Sequence, residues 1–337
     1  MHLKRRDVLF GLLGFSLPVI SSSCANRSEA PNLSSTTSPT PQPGLSAVRI
    51  GYQRFSELDL IRTRGELDRQ LQQQGVKVEW SFFQSGPPML EAMNTGSLDI
   101  AGVGEAPPIF AQAAGTQFFY IASTPRGLKT QDIVVPKTSS IQSPEDLRGK
   151  KVALQRGSSA HYLFVQVLRD RNIPIEEVEI VPLSPADARA AFEQGTVDAW
   201  SIWDPFLGVI EATGNVRNLN LGRDRRAFFL ASQNFVNTYP DRVKAFLLEA
   251  KLTEEWGQQN ARAIAQQFSE ELKIDVAILE KANQRRGWGL LPITPEAIAA
   301  QQRVADTFYE LAIIPKSIQV AEVTVPEQIY AQLYPST

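Results

Sequence analysis

Cysteine occurs once in the 337 residues and histidine twice, and these two scarcities exclude whole classes of chemistry. A lone Cys24 allows no disulfide within the chain and no thiolate metal site. With only His2 and His161, a histidine-rich metal site cannot form and a Ser-His-Asp triad has little to draw on. The stretch "GSSAH" at 157–161 does not fit the Gly-x-Ser-x-Gly nucleophile elbow. Neither a Gly-x-Gly-x-x-Gly nor a Walker motif occurs, so no cofactor and no metal is expected. A basic surplus is missing as well: 34 Lys and Arg face 36 Asp and Glu, for a net charge of −2, which argues against a nucleic-acid partner.

A long apolar run is also absent. The segment from Val8 to Ile20 is shorter than the roughly 20 residues that span a bilayer, and Lys4, Arg5 and Arg6 precede it, so it reads as a secretory signal. The pair Arg5 and Arg6 resembles a twin-arginine export signal, and a plain basic n-region explains it equally well. Cys24 closes the segment after Ser21, Ser22 and Ser23 and resembles the lipid-attachment cysteine of bacterial lipoproteins, although Ser21 stands where that pattern has Leu. An ordinary signal peptide with an incidental cysteine is the plainer alternative. Residues 1–24 are thus assigned to export and 25–46, rich in Ser, Thr and Pro, to a flexible tether. The expected location is the periplasm, with membrane contact through the lipid anchor alone.

From Val48 onward, strand-like and helix-like segments alternate, which predicts α/β lobes with mostly parallel sheets. The chain also echoes itself. Residues 90–108 align with 189–207 at an offset of 99, matching Ala92 with Ala191, Gly96 with Gly195 and Asp99 with Asp198. This shared order of helix, Gly, Asp and strand suggests two lobes of similar build.

Four strand-to-helix junctions share one chemistry: "QSGPPM" at 84–89, "VGEAPPIF" at 103–110, "RGSSAH" at 156–161 and "LSPADAR" at 183–189. Each offers unpaired N–H groups and the positive end of a helix dipole at the carboxyl edge of a sheet. Such a cleft can hold an ionised group mainly with amide hydrogens and hydroxyls, because oriented dipoles stabilise charge without a counter-ion. In "WSIWDPF", Trp200 and Trp203 are separated by an odd interval and face opposite sides of a strand, so Trp200 belongs to the core and Trp203 is the ligand candidate. "NQRRGWGLLP" at 283–292 reads as a surface turn, with a border of the cleft formed by Arg285 or Arg286 and Trp288 as the alternative, and the acid pairs Glu176 with Glu177 and Glu254 with Glu255 read as solvated faces.

The segments "GPPMLEAMNTGSLDIAGVGEAPPIFAQAAG", "KKVALQRGSSAHYLFVQVL" and "PADARAAFEQGTVDAWSIWDP", in this order, resemble the aliphatic sulfonate-binding proteins of ATP-driven importers. The resemblance implies a two-lobed periplasmic binding protein fold of type II, each lobe a mostly parallel sheet flanked by helices. "DIVVP" and "FFLASQNF" would be the crossover strands, with 47–136 and 229–337 forming lobe 1 and 137–228 forming lobe 2. It further implies a small organosulfonate ligand, a partner ABC permease with its ATPase, and no catalysis. Carried over by position, the cleft would be lined by Gln53, by Ser85, Gly86 and Pro87, by Gly104 and Glu105, by Ser158, Ser159, Ala160 and His161, and by Trp203 and Asp204. Pro88 and Glu105 depart from the Gln and Asp that family members often carry there. Binding of taurine or nitrate, a sensor role, and a pyrimidine-precursor synthase of the same fold are the alternatives. The synthases need a cysteine-rich motif that one cysteine cannot supply.

Overall fold

The structure, a computed structural model, describes residues 44–334, so the export segment, Cys24 and the tether up to residue 43 lie outside the described residues. Among the described residues ten strands are present: β1 Ala47–Tyr52, β2 Lys77–Phe82, β3 Ile100–Val103, β4 Phe118–Ser123, β5 Gln131–Pro136, β6 Lys151–Leu154, β7 Glu179–Pro182, β8 Ala199–Trp203, β9 Val216–Asn218 and β10 Phe228–Ser232. They form two five-stranded sheets with the orders β2-β1-β3-β10-β4 and β7-β6-β8-β5-β9. In the first, only β10 runs against its neighbours, pairing antiparallel with β3 and β4; in the second, β5 does the same between β8 and β9. The sheets are therefore mixed, with four strands in one direction and one reversed.

The reversed strand of each sheet is the one that enters directly after a crossing between lobes. The expected first-lobe range ended at Pro136, but β5 pairs on both sides with strands of the second sheet. The first crossing is consequently the segment 124–130, ahead of β5, and the second is 219–227, ahead of β10. A strand's sheet is decided by the partners that satisfy its backbone, and an apolar run such as "DIVVP" carries no mark of which sheet supplies them.

Where the two crossings meet, Gly127 N–H donates to Arg225 O at 2.7 Å and Arg225 N–H returns a bond to Gly127 O at 3.2 Å. A third stretch, 285–291, lies on them: Leu128 N–H donates to Arg285 O at 2.7 Å, and Ser123 and Leu291 exchange two bonds. A side chain at Gly287 would collide with the Pro125 carbonyl, so the close approach requires glycine there.

The internal echo is structural. Asp99 N–H donates to Arg49 O and Asp198 N–H to Lys151 O, both at 2.8 Å, and each carboxylate accepts the backbone N–H of the same partner at 2.8 Å. Each Asp thus pins the start of its strand to the parallel neighbour, β1 for Asp99 and β6 for Asp198. Gly96 and Gly195, with φ of 75° and 71°, make the left-handed turns that precede them. Asp99 alone also takes Arg49 as an ion pair at 2.6 Å. Trp200 is 1% exposed and packs with Phe192 beneath the second sheet.

Replacing Asp99 by Ala is expected to cost about 1–3 kcal/mol of unfolding free energy, because a strand N–H and a guanidinium lose their acceptor together. The same change at Asp198, whose bond is exposed, is expected to cost less; urea denaturation of both variants checks the order.

Candidate functional site

Between the lobes lies a cleft of about 880 Å³, its open mouth included. Three of the four junctions reach its wall. From the first lobe come Gln53, Gly86 and Gly104; from the second come Ser158, Ser159, Trp203 and Asp204. Gly104 is required by proximity across the lobes, since a methyl placed on it would collide with Ser159 Oγ and stand 3.2 Å from Arg225 Nη1. Gly86 is similarly confined, its added methyl falling 2.6 Å from Pro107 Cγ. Gln53 is oriented by a 3.3 Å bond from Nε2 to Gly102 O.

The fourth junction stays away. Ser184 spends its hydroxyl on its own helix, accepting Asp187 N–H at 3.3 Å and meeting the Asp187 carboxylate at 2.6 Å. Five further expected residues, Ser85, Pro87, Glu105, Ala160 and His161, also miss the wall. Ser85 is 1% exposed behind Gly86, and Pro87 packs in the helix it opens while Pro107 takes the wall position. Ala160 is on the buried face of the helix Ser159–Asp170, its carbonyl accepting Ser201 Oγ–H at 2.9 Å. His161 Nδ1 accepts Gly157 N–H at 3.2 Å, and its ring packs on Phe110 and Phe308. Burial pushes its pKa down to about 4, so it stays neutral and apolar in character. A helix-opening sequence shows where N–H groups emerge, but only about one residue in three or four of a helix faces any given neighbour.

Glu105 is buried just behind the surface, and its Oε2 accepts Ser159 Oγ–H at 3.2 Å, a direct bond between the lobes. Ser158 lines the cleft while also capping its helix, accepting His161 N–H at 3.3 Å. Asp204 Oδ1 binds Arg285 at 2.7 Å and Gly208 N–H at 3.3 Å, and Oδ2 is buried without a protein partner. Burial raises the Asp204 pKa to about 6 against the pull of Arg285.

The site holds formal positive charge that the junctions alone do not reveal. Arg54, Arg225 and Arg286 all line the cleft, which corrects the expectation of a grip made mainly from amides and hydroxyls. Arg225 comes from the second crossing and is steadied by a neutral partner, Nε donating to Thr130 Oγ1 at 2.9 Å. Arg286 belongs to the stretch read first as a surface turn and alternatively as a border of the cleft, and it lines the cleft. Its guanidinium lies 5.1 Å from the Phe55 ring centroid and 4.9 Å from that of Trp288, and Nη2 donates to Phe55 O. Phe55 also lines the cleft, in the left-handed region at φ 60°, a strained position for a bulky residue. Asp59 holds it there, accepting Phe55 N–H at 2.8 Å, while Ser56 accepts Asp59 N–H at 3.2 Å. The spacing of Ser and Asp in "FSELD" is the signal of this reciprocal cap.

A family model described as NMT1/THI5 like matches residues 71–251. A protein of Escherichia coli (strain K12), named an aliphatic sulfonates-binding protein, is 36% identical over 284 residues, covering 82% of this chain and 88% of its own. The chain belongs to the aliphatic sulfonate-binding protein family. Two solved structures agree with this membership. The alkanesulfonate-binding protein SsuA from Xanthomonas axonopodis pv. citri, bound to MOPS, has a TM-score of 0.79 at 32% identity over 85% of this chain and 99% of that one. The periplasmic aliphatic sulphonate binding protein SsuA from Escherichia coli has a TM-score of 0.74 at 32% identity, covering 84% and 93%.

In this member of the aliphatic sulfonate-binding family, Glu254 anchors the segment that carries Arg286. Expected on a solvated face, it is instead fully buried, with Oε2 accepting Gly289 N–H at 3.1 Å. Burial first, and Glu57 second, push its pKa up to about 8. The folded state therefore holds this proton more tightly than the unfolded chain. Stability from this group is greatest below about pH 4.5, declines as pH rises toward about 8, and is level beyond. Chemical denaturation across that range is expected to show the decline in the native chain and to lose it in Glu254→Gln. A second expectation concerns closure. Gly104→Ala should leave the circular dichroism spectrum intact and weaken capture of any cleft ligand by about tenfold or more, because the added methyl forces the lobes apart.

Proposed function

We propose that the chain is the extracytoplasmic binding component of an ABC importer, capturing a small organosulfonate in the inter-lobe cleft and delivering it to a membrane permease and its ATPase. The observation that carries this reading is the meeting of Gly104, Ser159 and Arg225 at one place between the lobes of a family member. Two helix N-termini and a guanidinium complement a charged oxyanion, and Trp203 and Phe55 supply an apolar wall for a carbon tail. Gly86, Gly104, Ser158, Ser159 and Arg225 are assigned to the oxyanion, and Gln53, Trp203 and Asp204 to the remainder of the ligand.

Capture would proceed by closure. A ligand that touches both lobes stabilises the closed state by its differential affinity for that state. The reading is non-catalytic: His161, the one histidine among the described residues, is occupied by Gly157 and lies off the wall. The basic start of the chain and Cys24 complete the picture as an export signal, of Sec or twin-arginine type, with a lipid anchor holding the binding domain at the outer face of the membrane.

Calorimetric titration with alkanesulfonates, taurine, sulfate and nitrate tests the proposal. Saturable one-to-one binding of an alkanesulfonate is expected, and tight nitrate binding with silence toward every sulfonate would overturn it. Arg225→Gln is expected to weaken the sulfonate by about 10- to 100-fold, the loss typical of removing a charged partner from a desolvated site.

A further inference from the structure

A carboxyl group stands directly behind a wall built for an anion. Glu105 is 8% exposed, and its Oε2 is 3.2 Å from the hydroxyl of Ser159, which itself lines the cleft. The backbone at Glu105 is fixed, because Gln301 Nε2 donates to its main-chain carbonyl at 2.9 Å and also to Tyr120 Oη at 2.9 Å. The groups that face Glu105 are Arg225 and Arg126 from the crossings and Ser159 and Tyr162 from the helix Ser159–Asp170. Burial raises the Glu105 pKa, and Arg225, the backbone, Ser159 and Arg126 lower it by less.

A serine hydroxyl has a single hydrogen to give. While Glu105 is ionised, that hydrogen goes to the carboxylate, and Ser159 turns lone pairs toward the cleft. Once Glu105 is protonated, its own O–H can donate to Ser159 Oγ, and the serine hydrogen is released toward the ligand. An ionised Glu105 would also repel an anion within a closed cleft, where screening is poor.

We propose that Glu105 is a specificity residue that makes the site count protons: a sulfonate, which carries none, is bound together with one proton taken from solvent onto Glu105. Ionised, the same residue favours an oxyanion that brings its own hydroxyl, such as an alkylphosphonate monoanion, whose O–H Ser159 or the carboxylate can accept. The inference rests on the sulfonate reading above.

Calorimetry of ethanesulfonate binding to the full chain, from about pH 5 to about pH 9 in sulfonate-free buffers of two ionisation enthalpies, decides it. At pH values above the Glu105 pKa, uptake of about one proton per ligand is expected, with affinity falling about tenfold per pH unit. Glu105→Gln is expected to bind ethanesulfonate with no proton uptake from this site and to retain affinity at high pH, while its preference for ethylphosphonate over ethanesulfonate drops. Asp204→Asn, which removes the raised carboxyl that does line the cleft, should leave the proton count at one, whatever it does to affinity. Ethanesulfonate binding to the native chain without proton uptake, or equal uptake in Glu105→Gln, overturns the inference and leaves the sulfonate reading standing. Failure of every sulfonate to bind at any pH overturns both.

Discussion

At Gly104 the backbone of the first lobe meets the Ser159 side chain of the second so closely that not even a methyl group fits between them. This approach sets the size of the cleft, brings two helix N-termini toward one point and places Glu105 within reach of the Ser159 hydroxyl. It also explains why ligand and hinge are physically linked. Arg225, which lines the cleft, is a residue of the second crossing, and its backbone pairs with Gly127 of the first. A ligand that draws on the Arg225 guanidinium therefore acts on the segment about which the lobes would turn.

Contacts between the lobes flank this point on both sides. On one, Asp204 and Glu211 of the second lobe meet Arg285 and Lys281. On the other, His161 and Tyr162 pack on Phe308, and Arg169 bonds Thr307 and Glu310. On the charged side the Lys281–Glu211 pair is partly exposed and of small worth while Arg285–Asp204 is largely buried, and the aromatic side buries apolar rings that gain from exclusion of water. Closure is thus favoured by apolar contact at one flank and by the site itself in the middle.

Much of this was legible in the sequence. The odd spacing of Trp200 and Trp203 placed one in the core and the other on the wall, because strand side chains alternate. The echo of Asp99 in Asp198 reflected a shared anchoring bond in each lobe. What stayed hidden depends on tertiary placement. Arg225 sits in "GRDRRA", whose arginines look solvated until two crossings bring one of them into the cleft. Glu254 reads as one of an exposed acid pair, yet a helix turns adjacent residues to different faces, and only Glu255 points to solvent. Ser184 carries the same capping chemistry as Ser158, and nothing local states that one helix start reaches the ligand while the other does not.

The most direct test of the central claim is a crystal structure grown with ethanesulfonate. The account predicts the sulfur between the lobes, with sulfonate oxygens in hydrogen-bond reach of Ser159 and the Arg225 guanidinium, placing the sulfur within about 4 Å of Ser159 Oγ. A sulfonate seated outside the cleft, or in it with Gly104, Ser159 and Arg225 all remote, would contradict it.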